Sequence, residues 1–210
     1  MTVTVVSCLY GEGYDRFVPA WLASVRALNR QPDEIIIGSD IDRRLDGVRF
    51  VSAPCSWRYP QAFHLQQAFE AASPGWVWHL DIDDVALPDA LDGLEDVAAD
   101  VWQMGYLRAD GLRYTPPHLT AAEYLAQQGN PFVGTSAVRT EAFARCGGYP
   151  DIAFEDWGLW RSMARTGATF ESSGRIHFRY AQGSYTRSSA ELKAADRACH
   201  LQEMYGQEAR

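Results

Sequence analysis

Long apolar runs, paired cysteines, internal repeats and positive charge are all scarce in this sequence, and each shortage closes off a class of protein. No apolar stretch approaches the ~20 residues that a membrane-spanning helix requires. Lys and Arg number 19 against 27 Asp and Glu, for a formal net charge of −8. A surface of that sign does not attract a phosphate backbone over its whole extent, which weighs against general nucleic-acid binding. Cys8, Cys55, Cys146 and Cys199 are scattered, without the close pairs of a zinc or disulfide framework. Reduced thiols in a cytoplasmic protein are the expectation. A strand-like segment over 2–7 begins directly after Met1, with no basic lead and no small-residue cleavage site, so no secretory signal is expected. Gly11 and Gly13 lack the third glycine of a dinucleotide fingerprint.

What remains is a chain of 210 residues, 47% apolar and 12% aromatic, which suits one domain with a sizeable core. Val3, Val5 and Val6 predict a first strand. Phe17, Trp21, Val25 and Leu28 then recur at helical spacing, with Asp15 as a candidate cap and Pro19 in the first turn. Strands follow over 34–38 and 48–51, the former carrying three successive isoleucines, as a strand buried on both faces does. Pro60 opens a helix with Leu65, Ala68, Phe69 and Ala72 on one face. A fourth strand over 76–80 runs into Asp81-Ile82-Asp83-Asp84, and Pro88 is expected to start a helix through Leu91, Leu94 and Ala98. This alternation predicts an open, mostly parallel sheet with helices on both faces. The second half is less regular: a strand over 101–107, a capping box at Thr120 and Glu123, a Gly147-Gly148 turn, a helix over 155–165, a strand over 175–180 and a second capping box at Ser188 and Glu191.

Open α/β sheets bind ligands outside the carboxyl ends of their strands, where Asp81, Asp83 and Asp84 fall. If the strand continued, Asp81 and Asp83 would project to one side and Asp84 to the other. Clustered carboxylates repel unless a cation joins them, and hard oxygen ligands suit Mg²⁺ or Mn²⁺. The same residues also read as a solvated turn with helix-capping aspartates.

Three segments together resemble family 2 glycosyltransferases. Val3-Thr4-Val5-Val6-Ser7 with Asp33-Glu34-Ile35-Ile36-Ile37 is similar to their nucleotide-binding half, and His79-Leu80-Asp81-Ile82-Asp83-Asp84 to their acidic signature. Gly147-Gly148-Tyr149-Pro150 followed by Phe154-Glu155-Asp156-Trp157-Gly158-Leu159-Trp160 is similar to their second signature. The resemblance spans about residues 2–187 and implies a GT-A type α/β fold, Rossmann-like in its nucleotide-binding half, with an open mixed sheet. Within a single domain over 1–210 it implies a nucleotide-sugar-binding half over about 1–100 and an acceptor-binding half over about 101–187, while the capping box at Ser188 and Glu191 predicts a C-terminal helix over 188–210. The implied activity is metal-dependent, inverting transfer of a sugar from a nucleotide-diphosphate donor, expected to be a uridine diphosphate sugar. The acceptor is open: a saccharide, a lipid carrier, a protein side chain or a modified nucleobase. By the same resemblance Leu9, Tyr10, Glu12 and Ile82 lie along the donor, and Ser39 or Asp40 reads the base. Asp81 meets the ribose or the metal, Asp83 holds the metal, and Asp156, with Glu155 beside it, is the catalytic base.

Ser39 stands where the family often carries the first of two acidic residues, and His64-Leu65-Gln66-Gln67 where many members carry an Arg-Asn pair. Arg58 is the candidate replacement for a diphosphate contact, with Arg175, Arg179 and Arg187 further on. An aspartate at a helix N-terminus is expected to have its pKa lowered. Glu155 and Asp156 also read as ordinary first-turn acids. Trp157 offers a stacking face for an acceptor or a core side chain, and Gly134 is placed on the acceptor side. His177 is a candidate third metal ligand or a structural strand histidine. The competing functions are a sugar-phosphate nucleotidyltransferase and a non-catalytic nucleotide-sugar-binding module. The first usually has a basic glycine loop after its first strand, and residues 8–13 contain no Lys or Arg.

Overall fold

A computed structural model describes residues 1–11, 13–152 and 154–181. The second capping box, Arg187 and Cys199 lie outside the described residues, as does Glu12.

One sheet runs through the molecule, in the order β3-β2-β1-β4-β8-β6-β9-β5, with β7 paired to β6. Its first part comprises β1 (Val3–Leu9), β2 (Glu34–Ser39), β3 (Arg49–Ser52) and β4 (Trp76–His79), all parallel. The second part is mixed. β8 (Ala137–Arg139) is antiparallel to both β4 and β6 (Val101–Arg108), while β9 (Phe170–Tyr180) is parallel to β6. The short strands β5 (Val85–Ala86) and β7 (Arg113–Tyr114) pair antiparallel with β9 and β6.

Alternation along β1 and β4 divides the core into two layers. Val5, Trp76 and Trp78 enter one, with Trp21 and Val25 of α1 (Val18–Arg26). Val6 and Val77 enter the other, with Leu65 and Phe69 of α2 (Pro60–Ala71) and Leu159 and Trp160 of α5 (Glu155–Arg165). Both faces of the parallel strands are therefore dry, as a strand read from a continuous apolar run requires. The Trp21 indole donates to the Leu80 carbonyl at 3.1 Å, tying α1 to the end of β4. Helix α2 packs so closely on β2 that a Cβ at Gly38 would fall 1.9 Å from the His64 carbonyl oxygen.

Several expectations hold locally. Pro60 opens α2 after an extended Tyr59, and Thr120 with Glu123 forms the full capping box of α3 (Ala121–Leu125). Gly147, after α4 (Thr140–Cys146), takes a positive φ. Three expectations fail. Asp15 does not cap the first helix; it opens a 3₁₀ turn, Asp15–Phe17, and α1 starts only at Val18. No α-helix follows Pro88, because Gly93 sits at φ 85° and resets the chain into turns and a 3₁₀ segment, Leu94–Asp96. Leu91 and Leu94 are buried all the same, so apolar spacing there records the core without a helix. Finally, β4 stops at His79, and the acidic residues form a turn closed by the Asp84 N–H on the Asp81 carbonyl at 3.0 Å. Among the described residues no helix is long and apolar enough to cross a membrane.

Candidate active site

The turn after β4 sets the first group of side chains. Asp81 Oδ1 lies 3.0 Å from His79 Nε2, an ion-pair distance without the alignment of a good hydrogen bond. Its Oδ2 accepts from Thr135 Oγ1 at 3.5 Å, the outer limit for such a bond. Burial pushes the Asp81 carboxyl up, but His79 and Thr135 outweigh it and hold it below the usual aspartate range. Asp84 is not set by strand alternation opposite Asp81 and Asp83, because the strand does not continue. It is folded under the turn at 1% exposure, with Oδ1 accepting the Ala181 N–H at 2.9 Å and Oδ2 unpartnered. Burial, then the charges of Asp81 and Asp83, raise its pKa well above that of an ordinary aspartate. Tyr180, at the end of β9, is pushed up to about 12 by burial and the same three carboxylates. Ile82 is a core residue, so its side chain is not presented to a donor.

The second group comes from the start of α5. Asn130 Nδ2 donates to Asp156 Oδ2 at 3.0 Å, and the carboxylate also accepts the Trp157 backbone N–H. Contrary to the helix-terminus expectation, the Asp156 pKa is raised: burial is the largest cause, and the Asp81 charge adds to it against the helix N–H groups. Asp81 and Asp156, 75 residues apart in sequence, are thus close enough to feel each other. Glu155 is half-buried beside Asp156, and its charge, after burial, helps raise the buried Tyr149 hydroxyl.

Residues 130–136 join the two groups. At one end is Asn130 on Asp156; at the other is Thr135 on Asp81. Between them the Gly134 carbonyl meets His79 Nδ1 at 3.3 Å. A Cβ at Gly134 would sit 3.3 Å from Asp156 Cβ and 3.4 Å from its Oδ2, so the bare backbone lets Asp156 pack against the loop without crowding. Gly134 was expected on the acceptor side; the structure sets it directly against Asp156. Asn130, Thr135 and Tyr180 were not singled out from the sequence. The Asn130-Pro131 pair reads only as a turn, and nothing local shows that its amide faces a residue 26 positions on.

At the ends of β1 and β2, Asp40 Oδ2 accepts the Gly11 N–H at 2.8 Å and brings the two strand ends together. The Tyr10 ring stacks with Tyr14 at 6.0 Å and with His64 at 6.2 Å, and its hydroxyl donates to Gln61 at 3.3 Å. Of the two base-reading candidates Asp40 is exposed, whereas Ser39 is buried with its hydroxyl accepting the Ile41 N–H. Leu9 is a core residue.

Other candidates are placed elsewhere. His177 is fully buried, with Nδ1 2.6 Å from the Ala90 carbonyl oxygen and its ring edge-on to Trp102; burial lowers its pKa to about 4. The triad of Asp81, Asp83 and His177 is not assembled: among the described residues no three His, Cys, Asp or Glu side chains converge as metal ligands. Trp157 is 5% exposed and belongs to the core of the second layer, leaving no face for an acceptor sugar. Arg175 lies over Trp102 and donates to the Asp89 carbonyl at 3.0 Å. Arg179 is exposed on β9, and the Arg58 guanidinium lies over Tyr59.

No protein-family model matches the chain, and neither does any curated protein sequence. Solved structures do. S. aureus TarS 1–349 superposes with a TM-score of 0.67 at 14% identity, over 86% of this chain and 60% of that one. The same TarS fragment in complex with UDP-GlcNAc gives 0.66 at 14% identity, over 90% of this chain and 61% of that one. A mannosyltransferase from Pyrobaculum calidifontis, in complex with GDP-Man and Mn²⁺, gives 0.64 at 16% identity, over 99% of this chain and 64% of that one. The fold is GT-A. The chain spans about 60% of the length of these proteins.

Proposed function

We propose that this GT-A chain is a metal-dependent, inverting glycosyltransferase of the family 2 type that uses a nucleotide-diphosphate sugar, with UDP as the favoured nucleotide. The observation that carries the reading is the convergence of Asp81 and Asp156 on the loop 130–136. Two acids from distant parts of the chain are held there by dedicated polar contacts, more than helix capping demands. Nucleotide-sugar complexes of the structural neighbours support the donor class.

The residues present fit a divalent cation. Burial and the charges of Asp81 and Asp83 raise the pKa of Asp84, which keeps a buried oxygen without a partner. Asp81 and Asp83 would hold the ion, with phosphate oxygens and water completing a shell that Mg²⁺ or Mn²⁺ rarely takes from protein alone. Such an ion supplies Lewis-acid stabilisation of the departing diphosphate. Asp156 takes the proton as the acceptor O–H bond breaks. The acceptor oxygen bonds to the anomeric carbon from the face opposite the leaving group. The bond from that carbon to the diphosphate breaks, and the diphosphate departs with the electron pair. A raised proton affinity makes Asp156 a stronger base than an ordinary aspartate. Tyr10, Gly11 and Asp40 are the groups proposed to face the nucleoside.

Calorimetric titration of UDP-GlcNAc and GDP-mannose, with and without Mn²⁺, tests the reading. Metal-dependent binding that is tighter for the uridine nucleotide and lost in Asp83→Ala is the expected result. Equal binding without metal, unchanged in that variant, overturns the metal site; no binding of either donor overturns the function.

A further inference from the structure

Asn130 makes a contact pattern that fixes which end of its amide faces Asp156. Its Oδ1 accepts from the Phe132 backbone N–H at 3.2 Å and from the Tyr124 hydroxyl at 3.1 Å. A backbone N–H can only donate, so the atom it meets is the amide oxygen and the –NH₂ group lies on the other side. There Nδ2 stands 3.0 Å from Asp156 Oδ2. An amide donor on a carboxylate favours the ionised form and fixes its plane.

The support behind Asn130 is rigid. Tyr124 is 1% exposed and stacks face to face on Phe132, with centroids 4.5 Å apart and ring planes 8° apart. Phe132 also packs on Phe170 of β9 at 5.1 Å. Hence the two donors that orient the amide come from an aromatic stack anchored in the sheet. This is more structure than a surface loop needs to satisfy one asparagine.

We infer that Asn130 is a positioning residue for Asp156: it fixes the plane and aim of the carboxylate, and acts on the reaction only through it. The inference rests on Asp156 being the base, as proposed above. The test measures nucleotide release in the presence of Mn²⁺ from whichever of UDP-GlcNAc and GDP-mannose the parent turns over. Asn130→Ala should lower kcat about tenfold while donor affinity stays within about twofold, the signature of an oriented group lost from the transition state. In an Asp156→Asn background the same change should cost less than about twofold, since the group it serves is already gone. Asn130→Asp keeps an oxygen for Tyr124 and Phe132 but turns a second oxygen onto Asp156. It should lose more than Asn130→Ala, and it replaces that variant in the cycle if Asn130→Ala does not fold. Equal losses in both backgrounds, or kcat unchanged in Asn130→Ala, overturn the positioning role. Full turnover in Asp156→Asn alone overturns the base assignment instead, and a parent that turns over neither donor overturns the proposed function on which the inference rests.

Discussion

Replacing Gly134 by Ala adds one methyl group at the point where the loop meets the candidate base. The new Cβ would lie 3.3 Å from Asp156 Cβ, tighter than most carbon contacts, with Oδ2 at 3.4 Å and the carboxyl carbon at 3.7 Å in ordinary contact. Relief needs a shift of only a few tenths of an ångström, so the cost in stability is that of mild overpacking, about 1 kcal/mol. In a chain of this size that lowers Tm by about 2–4 °C. The expected catalytic cost is larger, because the atom that must move belongs to the proposed base. Asp156 can yield only away from Gly134, and its 3.0 Å bond from Asn130 stretches or swings. Displacement of a reacting group by about 1 Å can cost 10²-fold, so a shift of a few tenths predicts a fall in kcat of roughly 3–30-fold. Donor binding should be preserved. The assay pairs nucleotide release with a melting curve and a donor titration. A Gly134→Ala protein that melts a few degrees lower yet turns over at the parent rate refutes the reasoning, because the loop would then pack against Asp156 without aligning it.

Asp156→Asn should lower kcat by roughly 10²–10⁴-fold with little change in donor affinity, read from initial rates and calorimetry. Gly38→Ala should be far more damaging to the fold than to the site. Its Cβ would meet the His64 backbone oxygen at 1.9 Å, so α2 must move off the sheet, at a cost of more than about 3 kcal/mol measurable by denaturant titration. Glu34 accepts hydrogen bonds from Thr4 Oγ1 at 2.9 Å and from Ser73 N and Oγ at 3.0 and 2.8 Å; the Ser73 N–H is the leading cause that lowers its pKa in the folded state. A folded value below the unfolded one gives stability that is present above the unfolded pKa and lost as pH falls through the folded pKa. Glu34→Gln should therefore melt lower than the parent at pH 7, with the gap narrowing on acidification below the unfolded value of 4.5; a gap as large at pH 3 as at pH 7 overturns this account.

The parallel half of the sheet was legible because each strand announces itself. Three isoleucines in β2, the alternation of Trp76, Val77 and Trp78 in β4, and Pro60 at the head of α2 are local signals, and the structure honours them. Two-residue strands such as β5 and β7 carry no period to read, and β8 owes its pairing to neighbours far away in sequence. The segment after Pro88 shows apolar spacing without a helix, because one glycine with positive φ outweighs two leucines. For the site, the acids were visible as types and positions, but their supports were not. His177 looks like a ligand in sequence and is a core imidazole in space; Trp157 looks like a platform and is packing. Gly134 and Asn130 act through close approach, which no spacing rule encodes.

The insertion of β8 between β4 and β6 has a mechanical consequence. Asp81 hangs from the end of β4, the loop 130–136 leads straight into β8, and β8 is laddered to β4 through Trp76↔Arg139, Val77↔Val138 and Trp78↔Ala137. The end of β4 and the loop 130–136 therefore cannot part without tearing that ladder. Asp156 on α5 joins this frame through the Asn130 amide and the close Gly134 backbone. On the proposed function, acceptor choice is then open to engineering in the side chains around Asp156, with the end of β4 and the loop 130–136 left in register.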